Sequence, residues 1–215
     1  MKRPNLLAVL LLIVVCLPIR AEDAPLRVEV DSSAAPHLAE WSAKARALIL
    51  EWHPRISALL AGSGARAPKT IKLQIRKADT GVGSTSGATI TLSSGWIEEH
   101  PDDFGLVIHE LVHVIQAYPS GKPWWITEGI ADYLRWAVYE GKPLRRFPRP
   151  KVTEGYRKGY QVAGGFLYWL ETDRAPGIVK KLNTAMRNQT CTAEIFKRET
   201  GLTLNELWNA YSAPQ

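Results

Sequence analysis

The pentapeptide His109-Glu110-Leu111-Val112-His113 constrains this chain more than any other stretch of it. It lies within residues 103–118, where Phe104, Val107, Ile108, Leu111, Val112 and Ile115 recur at intervals of three and four, the period of a helix with one face packed on a core. Residues four apart on such a helix are neighbours, so both imidazoles project from one side and can share a small cation about 2 Å from each nitrogen. Glu110 lies about 100° round the helix from His109. That offset suits contact with a water on the cation and disfavours a third bond from the same face.

Two histidines leave such a centre incomplete, because catalytic zinc takes three protein ligands and keeps a fourth position for water. A third histidine six residues on is excluded, since that position is Pro119, and no histidine follows His113. The expected third ligand is therefore a carboxylate. The turn formers Pro119-Ser120-Gly121-Lys122-Pro123 close the first helix, and a second one is expected from Trp125 to about Tyr139. Folded back beside the first, it would bring Glu128 to the metal. Asp132, one turn later, would accept the free ring N–H of one histidine and so fix its tautomer. Gln116 is left open between a supporting role and the surface. The pentapeptide alone also arises by chance, but the downstream Glu-x-x-x-Asp on a returning helix makes accident a poor explanation.

The rest of the chain is organised around this pair of helices. Lys2 and Arg3, an apolar run over residues 6–17, and Pro18-Ile19-Arg20-Ala21 make the three zones of a secretory leader, expected to be residues 1–21. Its apolar run is too short to span a bilayer, so no stable membrane insertion is expected after cleavage. Without the leader the 27 Lys+Arg fall to 24, because Lys2, Arg3 and Arg20 leave with it, against 21 Asp+Glu, a net charge of +3. So small an excess, with no basic stripe interleaved with aromatics, speaks against a nucleic-acid partner. Cys191 is then the one cysteine left, and no internal disulfide can form.

Residues 22–215 read as one domain, a sheet-containing half over about 22–118 and a helical half over about 119–215. Leu26-Arg27-Val28-Glu29-Val30-Asp31 alternates like a half-buried strand. A helix kinked at Pro54 follows, its stripe running from Leu38 through Trp41, Ile49 and Trp52 to Leu60, with His37 and His53 read as surface or packing residues. Residues 69–77 form the cleanest period-two strand, residues 81–87 a small-residue hairpin, and Ala88-Thr89-Ile90-Thr91-Leu92 a further strand running into the metal helix. If that last strand lies at a sheet edge, its free backbone groups can pair with an extended peptide. Residues 141–153, rich in proline and in Lys142, Arg145, Arg146, Arg149 and Lys151, read as a solvated loop in preference to a basic rim over the cleft. Helices are expected over 156–171, with Tyr160, Ala163, Phe166, Leu167 and Leu170 on one side, and over 178–187, 192–200 and 204–211. The eight tryptophans mostly read as core. The expected architecture is α+β: a small sheet, an active-site helix and a helical C-terminal part, with the cleft between the halves.

Several of these segments, taken in order, resemble the basic secretory protein family of plants, which has bacterial members. They are Ser84-Thr85-Ser86-Gly87 and the strand after it, His109-Glu110-x-x-His113-x-x-Gln116, Glu128-Gly129-Ile130-Ala131-Asp132-Tyr133, Gly159-Tyr160 before Phe166-Leu167, and Leu204-x-x-Leu207-Trp208-x-x-Tyr211. The likeness covers roughly residues 70–211. The resemblance implies a secreted zinc peptidase with a zincin-like fold, and the glutamate after the paired histidines is similar to the third ligand of gluzincin peptidases. Residues 141–151 depart from the family pattern.

The expected chemistry is hydrolysis of a peptide bond in a polypeptide, by a monomeric protein outside the cytoplasm or in a periplasm. One Zn2+ on His109, His113 and Glu128 would lower the pKa of a water towards 7, and Glu110 would take its proton and pass it to the departing amine. Tyr160 is the expected donor to the oxyanion, with Tyr156 and Tyr133 as alternatives and core packing the competing role for all three. Two rival readings stand beside this one. The first is a secreted peptide- or cell-wall-binding module with a structural or vestigial zinc, which would have no use for Glu110 as a base; the second is metal-dependent hydrolysis of a non-peptide amide.

Overall fold

The computed structural model describes residues 25–62, 67–77 and 81–213; the expected leader lies outside the described residues. Four strands, β1 (Arg27–Asp31), β2 (Thr70–Arg76), β3 (Gly83–Ser86) and β4 (Thr89–Ser93), form a mixed sheet in the order β1-β2-β4-β3. The first two pairings are parallel, setting Val28 beside Ile71 and Leu73 beside Ile90, and β3 closes antiparallel onto β4 through the turn at Gly87. Period two explains which face is covered. Ile71, Leu73 and Ile75 are fully buried, whereas Lys72, Gln74 and Arg76 point the other way.

Helix α1 (Ala39–Leu59) makes the crossover between β1 and β2 and packs on both the sheet and α3 (Gly105–Gln116). Pro54 sits inside it. Trp41, Ala45, Ile49 and Ile56 are buried as the stripe predicts, whereas Leu59 at its end is exposed, and the Trp41 ring stacks on Phe104 at 5.0 Å. His37 is exposed and paired with Glu98. His53 is buried, and burial first and then the Lys69 charge lower its pKa, so the ring packs as a neutral group.

Three expectations about this half need correction. The strand before the metal helix, β4, is internal to the sheet, and the short β3 occupies the edge instead. A short helix, α2 (Ser94–Glu99), intervenes before α3. Finally, α3 is not a half-exposed amphipathic helix: eleven of its twelve residues are buried and His113 is the exception. Its apolar positions face sheet and α1, and the polar ones face the helices that follow, so the motif lies at the centre of the domain.

Both ends of α3 are tied down. Asp103 accepts from the Leu106 N–H at 3.3 Å and from Arg135 at 2.6 Å. At the C-terminal end Ala117 adopts a left-handed conformation, φ 44°, and Arg187 donates to the carbonyls of Ile115 and Gln116 at 2.6 and 3.1 Å. A buried cation on those carbonyls opposes their partial negative charge.

In the helical half α4 (Trp124–Asp132) continues as a wider π-type turn over Tyr133–Tyr139. After a short 3-10 turn at Gly155–Lys158 come α5 (Tyr160–Trp169), α6 (Ile178–Arg187), α7 (Glu194–Thr200) and α8 (Leu204–Ser212). One hydrophobic core runs from Val28 in the sheet to Tyr211 in α8. Trp124, 44% exposed, departs from the expectation of a core role, while Trp41, Trp125, Trp169 and Trp208 meet it. The basic segment is not a free loop either. Phe147 is buried, the Arg149 guanidinium lies 4.8 Å over the Tyr211 ring and Lys142 lies 3.2 Å over Trp136. Among the described residues no helix is long and apolar enough to cross a membrane.

Candidate metal centre and its cleft

The site begins with the spacing of α3. His109 and His113 are one turn apart, and their Nε2 atoms lie 3.1 Å from each other with the rings 84° apart. The reversal over residues 117–123 lays α4 alongside, and Glu128 Oε2 stands 3.2 Å from His109 Nε2 and 3.4 Å from His113 Nε2. These three side chains form the group among the described residues able to hold a metal ion. The expected triad is thus assembled from two adjoining helices.

Outer partners decide which nitrogen of each ring faces inward. The His109 Nδ1–H donates to Asp132 at 2.7 Å, in a buried pair. The His113 Nδ1–H donates to Gln116 Oε1 at 2.8 Å, and the Gln116 amide is oriented by donating in turn to the Thr127 carbonyl at 2.9 Å. With both rings neutral, both Nε2 atoms therefore present lone pairs toward Glu128. Three acceptors 3.1–3.4 Å apart repel one another unless a positive charge lies among them. A tetrahedral cation about 2.0–2.1 Å from each donor spaces its ligands by about 3.3–3.4 Å, so the donor set fits.

The local electrostatics agree. Burial disfavours a charged His109, but its hydrogen bonds to Asp132 and Glu128, aided by the charges of Asp132 and Glu110, outweigh it and raise its pKa to about 9. Burial likewise opposes ionised Glu128, and its contacts with His109 and His113 overcome this to lower its pKa to about 2. The pocket stabilises positive charge even with a proton as the only cation.

The cleft around this centre has a volume of about 1090 Å³ and is lined on one side by Val82, Gly83, Ser84 and Thr85, on another by Lys158, Gly159, Tyr160 and Gln161. Glu110 reaches it from α3, almost wholly buried. Tyr160 is not on the buried side of α5 as the spacing predicts. The chain breaks at Gly159, Tyr160 adopts φ 44°, and its ring stands half exposed, 6.2 Å from that of His109. A non-glycine residue in the left-handed region costs backbone strain that the surrounding packing must hold. Burial, then the charges of Glu128, Asp132 and Glu110, raise the Tyr160 pKa and keep its phenol a donor. The alternatives lie elsewhere. Tyr156 is 1% exposed among Trp125, Phe166 and Trp208, and Tyr133 packs on Tyr168. Of the basic run only Pro148 joins the cleft wall.

Gln116, left open between a supporting role and the surface, is the ring partner of His113. One contributor escaped the sequence altogether. Thr85, on β3, donates to Glu110 Oε2 at 2.7 Å across 25 positions of sequence, a contact without any local signature.

No curated protein and no solved structure matches the chain at a significant level. A family model described as a peptidase of plants and bacteria does match, over residues 29–211, a span holding every residue of the site. By that match the chain belongs to the basic secretory protein (BSP) family of plant and bacterial peptidases.

Proposed function

We propose that the chain is a secreted, zinc-dependent peptidase that hydrolyses peptide bonds in polypeptide substrates. The observation that carries this reading is the convergence of His109, His113 and Glu128 donors within 3.1–3.4 Å of one another in a cleft that Glu110 also enters. Two imidazoles and one carboxylate are the donor set of many catalytic zinc sites, and a zinc ion bound there supplies Lewis acidity and a water that is nucleophilic near neutral pH.

The remaining steps belong to the chain itself. Glu110 accepts the proton of the attacking water and returns it to the departing amine. Tyr160 donates its phenolic proton in a hydrogen bond to the developing oxyanion. Asp132 and Gln116 hold the two imidazoles in the tautomer that leaves Nε2 free. An extended substrate pairs with the outer edge of β3, whose other edge is bonded to β4. Secretion rests on the leader-like residues 1–21.

Cleavage of casein or fluorogenic peptides, followed beside metal analysis, tests this. Hydrolysis is expected to vanish with chelator and to return with zinc. Glu110→Gln should keep its zinc and lose about 100- to 10,000-fold in kcat. A zinc-loaded Glu110→Gln with full rate would overturn the mechanism, and a zinc-loaded wild type that cleaves nothing would favour the binding-module reading.

A further inference from the structure

The run Gly83-Ser84-Thr85-Ser86 contains no residue that reads as catalytic, yet it forms the wall nearest Glu110. On a strand side chains alternate, and here Ser84 and Ser86 are exposed while Gly83 and Thr85 turn toward α3. The Thr85 hydroxyl lies 2.7 Å from Glu110 Oε2 and 3.1 Å from the Glu110 carbonyl oxygen. A hydroxyl has one proton to donate, and the shorter, charge-assisted contact takes it.

Gly83 acts on the other carboxylate oxygen. A Cβ added there would stand 2.9 Å from Glu110 Oε1, 3.0 Å from Leu92 Cδ2 and 3.1 Å from Leu106 Cδ1. Gly83 is not among the positive-φ glycines, so space and not backbone conformation requires it. One oxygen of Glu110 is therefore held by a hydroxyl, and the other has room that any larger residue at position 83 would take. A glutamate has three side-chain torsions to order, and an unheld carboxylate would spend much of its time away from the productive geometry.

We propose that Thr85 is a positioning residue for Glu110, with Gly83 leaving the second carboxylate oxygen clear, so that the edge strand of the sheet aims the base. The proposal rests on the peptidase reading above for its effect on rate, but not for the contact itself. It also accounts for glycine at position 83, since a Cβ there would crowd the Glu110 carboxylate.

The test compares Thr85→Val, which keeps shape and strand propensity but loses the hydroxyl, with Thr85→Ser, which keeps the hydroxyl. In the zinc-loaded full-length protein Thr85→Val should lower kcat about 10- to 100-fold, with KM and zinc stoichiometry as in wild type. Thr85→Ser should recover most of it. The carboxylate stretch of Glu110, isolated by infrared difference against Glu110→Gln, should shift in Thr85→Val and return in Thr85→Ser. A Thr85→Val protein with wild-type kcat overturns the proposal, as does a loss that serine fails to rescue or that follows zinc content. Thr85→Ala serves the same comparison should the valine variant not fold. If the wild type cleaves no peptide, the infrared band decides: a shift upholds the contact while the peptidase reading falls, and an unmoved band overturns both.

Discussion

The two walls of the cleft are built on opposite principles. The wall formed by α4 and α5 is close-packed and deeply seated. A Cβ on Gly129 would lie 2.8 Å from that of Ala163, and one on Gly164 would lie 3.0 Å from the Tyr133 backbone nitrogen, so these glycines let the two helices approach closely. Glu128 and Asp132 project from that packed base toward the imidazoles. The opposite wall is β3, four residues long, at the edge of the sheet, with a single strand as neighbour and two of its side chains in solvent. The candidate metal donors belong to the packed wall and helix α3, while the Glu110 carboxylate is held from the lighter wall. Gathering the donor set and placing Glu110 thus fall to different parts of the fold, and the sheet edge beside Glu110 is the part with least scaffolding.

The harshest way to break that contrast is to remove a ligand. Glu128→Ala should abolish stoichiometric zinc binding and hydrolysis together, a larger loss than the about 100-fold that an outer partner costs. Metal analysis beside the peptide assay would show it. Retained zinc in Glu128→Ala would mean that the helical wall does not define the centre.

A graded comparison concerns the two ring partners. Asp132 offers a buried carboxyl group and Gln116 an amide, and hydrogen bonds to an ionisable acceptor can be roughly twice as strong as those to a neutral one. Asp132→Asn is expected to weaken zinc binding about 10- to 100-fold and Gln116→Ala about 3- to 10-fold, as read by competition with a chromophoric chelator. Equal losses would show that the Asp132 charge adds nothing.

The last comparison varies pH and leaves the chain unchanged. His109 has its pKa raised from 6.5 to about 9, so without a metal its ring is charged at neutral pH and paired with Glu128, which is held ionised by a pKa near 2. A group raised in this way stabilises the metal-free fold fully below pH 6.5, and that contribution fades as pH climbs through about 9. Zinc must displace the same proton. Its apparent affinity should therefore rise up to about tenfold per pH unit between neutrality and about pH 9, with about one proton released at pH 7. Calorimetric titration in buffers of differing ionisation heat measures that proton, and none released would contradict the His109–Glu128 coupling.

Much of the fold was legible because burial imposes a period. The alternation over residues 69–77 became β2 and the three-four spacing over 103–118 became α3, each within two residues at either end. What failed were features that depend on neighbours distant in sequence. Nothing local to Ala88-Thr89-Ile90-Thr91-Leu92 says that another strand will cover it, and nothing around Tyr160 reveals that Trp124 stands where any side chain at Gly159 would have to go, 2.4 Å from its would-be Cβ. Helical spacing alone puts Tyr160 with Phe166 and Leu167, whereas the break at Gly159 turns it out to the cleft.

The candidate donor set was legible in spacing alone: two imidazoles one turn apart, a glutamate beside them, and a returning helix with carboxylates four residues apart, because helical geometry converts those spacings directly into shared faces. Only the tertiary structure decided which strand is the edge, which tyrosine meets the cleft and what steadies Glu110. Those contacts join residues far apart along the chain, and their distances follow from packing the halves on one core, which no local period encodes.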